Sequence, residues 1–564
     1  MKSKRIVVIG GSAAGPKAAA RAKRLDQDAQ VVLLQKDPEL SMASCGYPYY
    51  IGGTFDDRNQ LICTPTGVVR DPGFFAKAKG VEAMVRTEVT EIDPKAKTVS
   101  FSKLDSNETG SLEYDKLIIC TGASPRVPPI PGRELAGITP LHAMRDADAL
   151  HEAAAQAKGK KAIIVGGGLI GIETCEAFAE KGLDVTVVEL LPQILMFLDP
   201  EMAKLVENHV KAKGVNIITN NGVAEFIGEN GHVSAVKLND GTTLPCDVAV
   251  VAIGVVPNVR LAKDAGLGIG KFGGIEVNEF MQTTDPDIYA SGDCVELTNR
   301  ITGQKTLAPY GDLANLEGRV AAENAVKGNS SFFPGTIHSG ICKVFDFTAA
   351  TTGLSEERAR QAGFDVVSAT NAGLDRPGFM GAKLLVSKMV ADAKTGRLLG
   401  FQIVGPGEVN RQVAEAAVAV MAGMSINDLA VADLPYAPPY SLAIDHFITS
   451  AHILQNKMNG LMTGVTNREV KAKLDAGEKL FFLDVRSPEE FAQMELGIGE
   501  KLIPLGALRS KMSELPEDKN AEIITYCKIS MRGYEAQQVL HHAGYSNVTV
   551  MEGGVMAWPY GRKK

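Results

Sequence analysis

The chain has 564 residues, more than one hydrophobic core can organise, so three or four domains of about 100–200 residues each are expected. Hydrophobic residues make up 45%, charged residues 22% and glycine 58 positions, which excludes a disordered chain and suits α/β units with many tight strand-to-helix turns. The net charge of −7 and pI near 5.8 exclude the basic excess of a nucleic-acid or membrane-surface binder and point to small-molecule chemistry.

MKSKRIVVIGG enters an apolar strand without the apolar stretch and cleavage site of a signal peptide, and no run is long enough to span a bilayer. A cytoplasmic location is expected. RIVVIG (5–10) reads as a buried parallel strand, GGSAAGPKAAARAKRLD as a turn into an alanine-rich helix, and QVVLLQ as the next strand. Gly10 and Gly15 meet the G-x-G-x-x-G template of a dinucleotide loop, with Ser12 at the middle glycine. Gln35, followed by Lys36, stands where the ribose-binding acid is expected.

SMASCGYPYYIGG (41–53) carries a lone cysteine, Cys45. As residues alone it has three readings: a buried small hydrophobe, half of a disulfide, or a reactive thiol. The segment is expected to lead into a helix with Pro48 in its first turn, where the missing N–H costs nothing, and such a helix start stabilises a thiolate. The eight cysteines include no C-x-x-C pair and no Cys/His cluster with zinc spacing, so reduced thiols and no metal are expected.

YDKLIICTGASPRVPPIPG (114–132) and TTDPDIYASGDC (283–294) each run an apolar strand into a glycine turn, the second placing Asp293 for a polyol hydroxyl. Between them, KAIIVGGGLIGIETCEAFAEKGLDVTVVEL supplies strand, Gly166, Gly168, Gly171, helix, second strand and Glu189. The glycines let a pyrophosphate approach the helix N-terminus, and Glu189 can accept from both ribose hydroxyls while repelling a 2′-phosphate, so NADH is expected over NADPH. Two nucleotide sites in one chain suggest electron transfer from a nicotinamide to a tightly held second nucleotide.

These stretches, with Gly254 in AIGVVPN, resemble the two-dinucleotide-domain flavoprotein disulfide reductases over roughly residues 5–450. The resemblance implies FAD, held by the first βαβ unit, by the turn Thr121, Gly122, Ala123, by Asp293 at the ribitol, and by the helix of PYGDLANLEGRVAAEN, including Ala314, under the flavin ring. GICKVFDFTAATTGL, KLLVSKMVADAKTGRLLGFQIVG and EVNRQVAEAAVAVMAG look like that family's interface domain, which implies a homodimer. Tyr50 replaces the second cysteine of the family's C-x4-C pair, so the segment resembles the single-cysteine branch of coenzyme A disulfide reductases, NADH oxidases and NADH peroxidases. Cys45 then reads as a lone reactive thiol that attacks a disulfide or persulfide.

In the coenzyme A branch, positions matching the substrate contacts are Lys17, Arg21 and Arg24, cations at i, i+4 and i+7 that can share one face toward phosphates, with Ser41 and Ser44 nearer the thiol. YAPPYS (436–441) matches a tyrosine motif presented by the partner subunit, making Tyr436 a candidate hydrogen-bond donor and Tyr440 a second. GLDRPGFMG (373–381) lacks a further tyrosine found in some coenzyme A disulfide reductases.

AHILQNKMNGLMTGVT (451–466) reads as a helix end and linker, after which an α/β pattern restarts. LFFLDVRSPEEF, ITYCKISMRGYEAQQVLHHAGY and VMEGGVMAWP together resemble a rhodanese domain, with C-x4-R from Cys527 to Arg532. Its loop N–H groups, Lys528 and Arg532 favour a thiolate or persulfide, and the loop is one residue too short for a phosphatase. Ser530 stands where a glycine is common. His541 and His542 read as surface or packing residues.

The expected architecture is α/β: an FAD domain (1–149 and 276–324), an NAD domain (150–275), both Rossmann-like, an α+β interface domain (325–450), a linker (451–466) and a rhodanese domain (467–564). The expected activity is NADH- and FAD-dependent reduction of a low-molecular-weight persulfide, polysulfide or coenzyme A disulfide at Cys45, with Cys527 carrying sulfane sulfur. Two alternatives stand beside it. One is an NADH oxidase or peroxidase cycling Cys45 through a sulfenic acid; the other is a sulfurtransferase delivering to a protein acceptor.

Overall fold

The computed structural model describes residues 4–156 and 159–563. Two compact units emerge, one formed by the chain up to Leu190 with Ile218–Thr336, the other by Leu191–Ile217 with Ile337 to the C-terminus.

The first unit contains two parallel sheets of the expected βαβ kind. In one, Ile288–Ala290, Lys116–Ile119, Arg5–Ile9, Gln30–Leu34 and Glu82–Met84 lie side by side in that order. Ile6, Val7 and Val8 have no exposed surface, because helices cover both faces of a parallel sheet and its strands must be apolar throughout. Helix Ala14–Leu25 buries Ala14, Ala18, Ala19 and Ala22 on one side, and these small residues let it cross helix Gly311–Lys327 closely. A Cβ on Gly318 would lie 2.4 Å from the Ala14 carbonyl oxygen, so only glycine permits that crossing. In the second sheet Lys161–Val165 lies between Asp184–Val188 and Val248–Val251, with Ile138–Pro140 beyond.

The second unit holds a five-stranded antiparallel sheet ordered Gly340–Val344, Phe347–Gly353, Leu398–Gly405, Leu384–Asp392, Val366–Leu374, with helices Val409–Ala422 and His446–Met458 packed on it. Helix Pro200–Ala212, from within the expected NAD domain, belongs to this unit. It is anchored by Lys388, whose buried amine meets Asp199 at 3.1 Å, Glu201 at 2.5 Å and Glu356 at 2.7 Å. Burial alone would depress that amine, but Glu201, Asp199 and Glu356 outweigh it and hold it above the ordinary lysine range.

The C-terminal sheet is parallel, ordered Gly464–Val465, Val548–Met551, Ile523–Tyr526, Phe481–Asp484, Lys501–Leu502. The expected linker thus ends in an edge strand. Alternation along each strand serves two cores: Leu483 and Ile523 pack to one side, Phe482, Ile524 and Tyr526 to the other with Trp558. Glu552, wholly buried, ties this sheet to the antiparallel one, accepting from the Thr370 N–H at 2.8 Å and pairing with Lys457 of helix His446–Met458. The Asn208 amide adds a bond to the Pro559 carbonyl at 2.6 Å.

Candidate active site

The two glycine loops are built alike. A Cβ on Gly10 would lie 2.0 Å from the Cys120 carbonyl oxygen and one on Gly166 2.4 Å from that of Ala252, so each chain turns against the neighbouring strand where no side chain fits. In both loops the next N–H is held by the residue ending the following strand: Gly11 donates to Gln35 Oε1 at 2.8 Å and Gly167 to Glu189 Oε2 at 2.6 Å. The amide and the carboxylate differ beyond that bond. Gln35 Nε2 donates to the Glu39 carbonyl at 3.4 Å, so both ends of this buried side chain are engaged, one by Gly11 and the other by Glu39. Lys36 pairs with Glu88 at 2.9 Å.

Thr121 and Gly122 are clamped by a residue the motif reading missed. Asn258 accepts the Thr121 hydroxyl at its carbonyl (2.7 Å), returns its side-chain amide to the Thr121 carbonyl (2.9 Å) and donates its N–H to the Gly122 carbonyl (2.9 Å). Gly122 and Gly254 take positive φ, 65° and 95°, with nothing within 4 Å of an added Cβ. Asp293 follows Gly292, whose N–H donates to buried Glu317 at 2.7 Å. Burial pushes Asp293 up to about 6 and Glu317 up to about 8. Ala314 is buried on the same helix as Glu317.

Cys45 sits in a short 3₁₀ turn, Ser44–Gly46, leading into the five-residue helix Tyr47–Ile51 with Pro48 in its first turn, as expected. The larger helix N-terminus nearby is a different one: a Cβ on Gly311, first residue of Gly311–Lys327, would lie 3.8 Å from Cys45 Sγ. Solvent reaches Cys45, yet the protein crowds it enough that burial, followed by Glu173 and Asp293, pushes its thiol above the ordinary cysteine range, opposed by a backbone hydrogen bond. The expected stabilised thiolate is therefore not a property of the short helix. Glu173, which sequence reasoning passed over inside the second dinucleotide helix, is itself pushed up to about 7 by burial.

A cavity of about 470 Å³ is lined by Lys17 and Arg24, by Ser41, Met42 and Ala43, of which Ala43 stands two residues before Cys45, and by Asn315, one turn beyond Gly311. Lys17, Arg24 and Ser41 share the cavity wall with Arg70, Lys79 and Phe74, which no motif marked. Arg70 donates to the Ser41 carbonyl at 3.0 Å, and Lys79 lies 5.1 Å from the Phe74 ring centre. Among the described residues, none of Lys17, Arg24, Arg70 and Lys79 is in an ion pair. Arg21 departs from the expected stripe. It lies roughly 60° round the helix from Arg24, pairs with Glu323 at 2.6 Å, and does not line the cavity. Ser44 is exposed and does not line it either. Tyr436 and Tyr440 lie in the other unit, 52% and 68% exposed.

In that unit, Cys527 immediately follows strand Ile523–Tyr526, and its loop closes on helix Met531–His542. Ser530 takes the left-handed conformation usual for glycine (φ 82°), compensated by its hydroxyl donating to the Met551 carbonyl at 3.1 Å. The loop carbonyls are held from outside: Val555 N–H donates to Cys527 at 3.0 Å and Met556 N–H to Lys528 at 3.1 Å. Arg532 reaches Cys527 and forms two parallel 2.7 Å bonds to Glu490. His541 and His542 are exposed.

A pyridine nucleotide-disulphide oxidoreductase model matches residues 4–311, that family's dimerisation domain matches 340–447, and a rhodanese-like domain matches 466–559. This chain belongs to the pyridine nucleotide-disulphide oxidoreductase family. A solved NAD-dependent persulfide reductase from A. fulgidus is 40% identical, covering 98% of this chain and all of its own, with a TM-score of 0.93. A Pyrococcus horikoshii NAD(P)H coenzyme A polysulfide/persulfide reductase is 34% identical over 80% of this chain and 98% of its own. An NADH oxidase from Methanocaldococcus jannaschii is 33% identical over 81% of this chain and 99% of its own.

The family binds FAD and NAD(P)H, and the residues present fit both. The cradle at Gly10 and Gly15, where a Cβ on Gly15 would lie 1.8 Å from the Gly10 carbonyl, opens the first helix N-terminus to a pyrophosphate; Gly122, Asp293 and Ala314 complete the FAD set. Gly166, Gly168, Gly171 and Glu189 form the corresponding nicotinamide set, with open space where a Gly168 side chain would stand. Among the described residues no helix is long and apolar enough to cross a membrane, and no group of His, Cys, Asp and Glu could hold a metal ion.

Proposed function

We propose that this chain is an NADH- and FAD-dependent reductase of low-molecular-weight persulfides, polysulfides or coenzyme A disulfide, acting through Cys45 as a homodimer, with Cys527 carrying sulfane sulfur. The observation that carries it is the conjunction around Cys45: one thiol, without a partner cysteine, two residues along the chain from the wall of a cavity bearing four cations that, among the described residues, are in no ion pair. Those cations suit the phosphates of a coenzyme A-sized thiol, and Phe74 offers a ring face to a base.

FAD supplies the two-electron relay between nicotinamide and thiol. The chain's own residues do the rest. The start of helix Gly311–Lys327 lies beside the sulfur, and its dipole works toward the thiolate against the burial, Glu173 and Asp293 that favour the thiol, while Lys17, Arg24, Arg70 and Lys79 hold the substrate so that its sulfur–sulfur bond meets Cys45. Attack by the Cys45 sulfur leaves a mixed disulfide on the protein and releases the first thiol or sulfide. Glu173, titrating near neutrality in the same surroundings, is placed to exchange protons there. For a persulfide the balance is RSSH + NADH + H⁺ → RSH + H₂S + NAD⁺.

The NADH oxidase among the relatives marks the competing reading, but oxygen reduction gives the four cations nothing to bind. Cys45→Ser decides the mechanism. It should keep the bound flavin spectrum and lose NADH oxidation driven by persulfide or coenzyme A disulfide. Near wild-type turnover would sink the role of Cys45, and wild-type turnover with oxygen exceeding that with every sulfur substrate would favour the oxidase.

A further inference from the structure

The rhodanese loop carries a positively charged arginine whose hydrogen-bonding fork is already filled. Arg532 gives one Nη to each carboxylate oxygen of Glu490, both at 2.7 Å, while also reaching Cys527. Glu490 is not there by chance of side-chain flexibility. It is the third residue of helix Pro488–Gln493, where it completes a capping box: Ser487 Oγ accepts from its N–H at 3.3 Å and its Oε2 accepts from the Ser487 N–H at 3.0 Å. Arg532 and the cap hold Glu490 down at about 2, so it stays ionised at any working pH.

A bidentate arginine–carboxylate pair has the geometry with which arginine grips any planar or tetrahedral oxyanion. With that fork occupied by an internal carboxylate, an incoming sulfonate loses the paired Nη donors, finds the charge of Arg532 offset, and meets the negative Glu490 beside it. A sulfane-sulfur donor whose leaving part is an alkyl thiol or another sulfur needs no such fork; the loop N–H groups and exposed Lys528 suffice.

We propose that Glu490 is a positioning residue that sets the donor class of Cys527, occupying Arg532 so that the loop takes sulfur from thiol persulfides and polysulfides and discriminates against thiosulfate. This deepens the proposed function and rests on its assignment of Cys527 as a sulfur carrier. The step is Cys527–S⁻ + RSS⁻ + H⁺ → Cys527–S–S⁻ + RSH, with the outer sulfur of the donor attacked and the thiol leaving. The disfavoured counterpart is Cys527–S⁻ + S–SO₃²⁻ → Cys527–S–S⁻ + SO₃²⁻.

The test compares thiosulfate with glutathione persulfide as donors, cyanide as acceptor and thiocyanate as readout, in the full-length wild-type protein and in Glu490→Gln. Glutamine keeps the capping box and loses the charge. The thiosulfate-to-persulfide ratio of kcat/KM should rise by at least about tenfold, through a lower KM for thiosulfate. Such a gain cannot come from structural damage. An unchanged or reversed ratio, or a wild-type protein already as efficient with thiosulfate, overturns the proposal alone; no transfer from either donor in wild type overturns it together with the role of Cys527. A measurement on the wild-type protein serves if the variant does not fold. Sulfate, offering the oxygens of a sulfonate, should leave the iodoacetamide alkylation rate of the Cys527 peptide unchanged by mass spectrometry, and protection would overturn the assignment.

Discussion

Replacing Arg70 with methionine removes the cation that the cavity holds most firmly. Its backbone is fixed by the turn returning from Ile62, its N–H donating to the Ile62 carbonyl at 3.0 Å, and its guanidinium is tethered to the Ser41 carbonyl at 3.0 Å. A pre-oriented, half-buried guanidinium gripping a phosphate makes a charge-assisted hydrogen bond worth about 1.5–3 kcal/mol, or about 10- to 100-fold in KM for coenzyme A disulfide. Lys17, exposed on its helix, should matter less, about two- to fivefold when replaced by methionine. Polysulfide has no phosphate, so its KM should move by less than about twofold in either variant. Steady-state NADH oxidation with both substrates measures this, and repeating it at higher ionic strength should raise the wild-type KM for coenzyme A disulfide more than that of Arg70→Met. An equal KM rise for both substrates would refute the phosphate role. So would a fall in kcat alone, which would mean that Arg70 merely holds Ser41, in its positive-φ conformation, and through it Cys45.

Glu189→Gln keeps an acceptor for the Gly167 N–H while removing the charge, so NADPH should approach NADH in kcat/KM by about tenfold; an enzyme already faster with NADPH would contradict the assignment. Cys527→Ser should spare coenzyme A disulfide reduction and lower polysulfide reduction, and equal loss on both, or none on either, would show that this division between the two substrates is wrong. Lys388→Met should cost about 3–5 kcal/mol in urea unfolding at pH 7, because it strands two buried carboxylates, Asp199 and Glu201, and the partly buried Glu356. In the wild type, burial would raise Glu356, but Lys388, Arg360 and Ser368 hold it at about 2. A carboxyl depressed in the folded state stabilises above its unfolded pKa of about 4.3, so this contribution should be full near neutrality and fade as pH falls from there toward 2. Stability unchanged between pH 5 and pH 2.5 would contradict that pairing.

The residues that could be read without a structure are those whose chemistry is enclosed in a short stretch. Gly10, Gly15, Gly166 and Gly171 are forced by the turn between a strand and its own helix, so spacing carried them, while C-x4-R, the length of one loop, was legible through its resemblance to a rhodanese domain. Lys17 and Arg24 share a face because helical periodicity puts them there. The same periodicity allowed Arg21, but what Arg21 does depends on Glu323, 302 residues away on a helix brought alongside by Gly318.

Where the two diverge, the deciding contact lies outside the stretch that carries the motif. Gln35 occupies the ribose acid's place in the motif, yet the tertiary structure gives its oxygen to Gly11 and its nitrogen to Glu39. Arg70 and Lys79 carry no signature in their own segments, and only the folding of the 62–79 excursion against the first helix makes them cavity walls. The environment of Cys45 likewise comes from separate elements: burial, Glu173 and Asp293 push its thiol up where the short helix alone argued for the opposite, and Gly311 brings the start of another helix alongside. Backbone conformation is governed by steric and hydrogen-bonding rules acting over a few residues, and so is written locally in the sequence. The direction of a charged side chain and the ionisation of a buried group are settled by partners and dielectric supplied from elsewhere, and these exist only once the chain has folded.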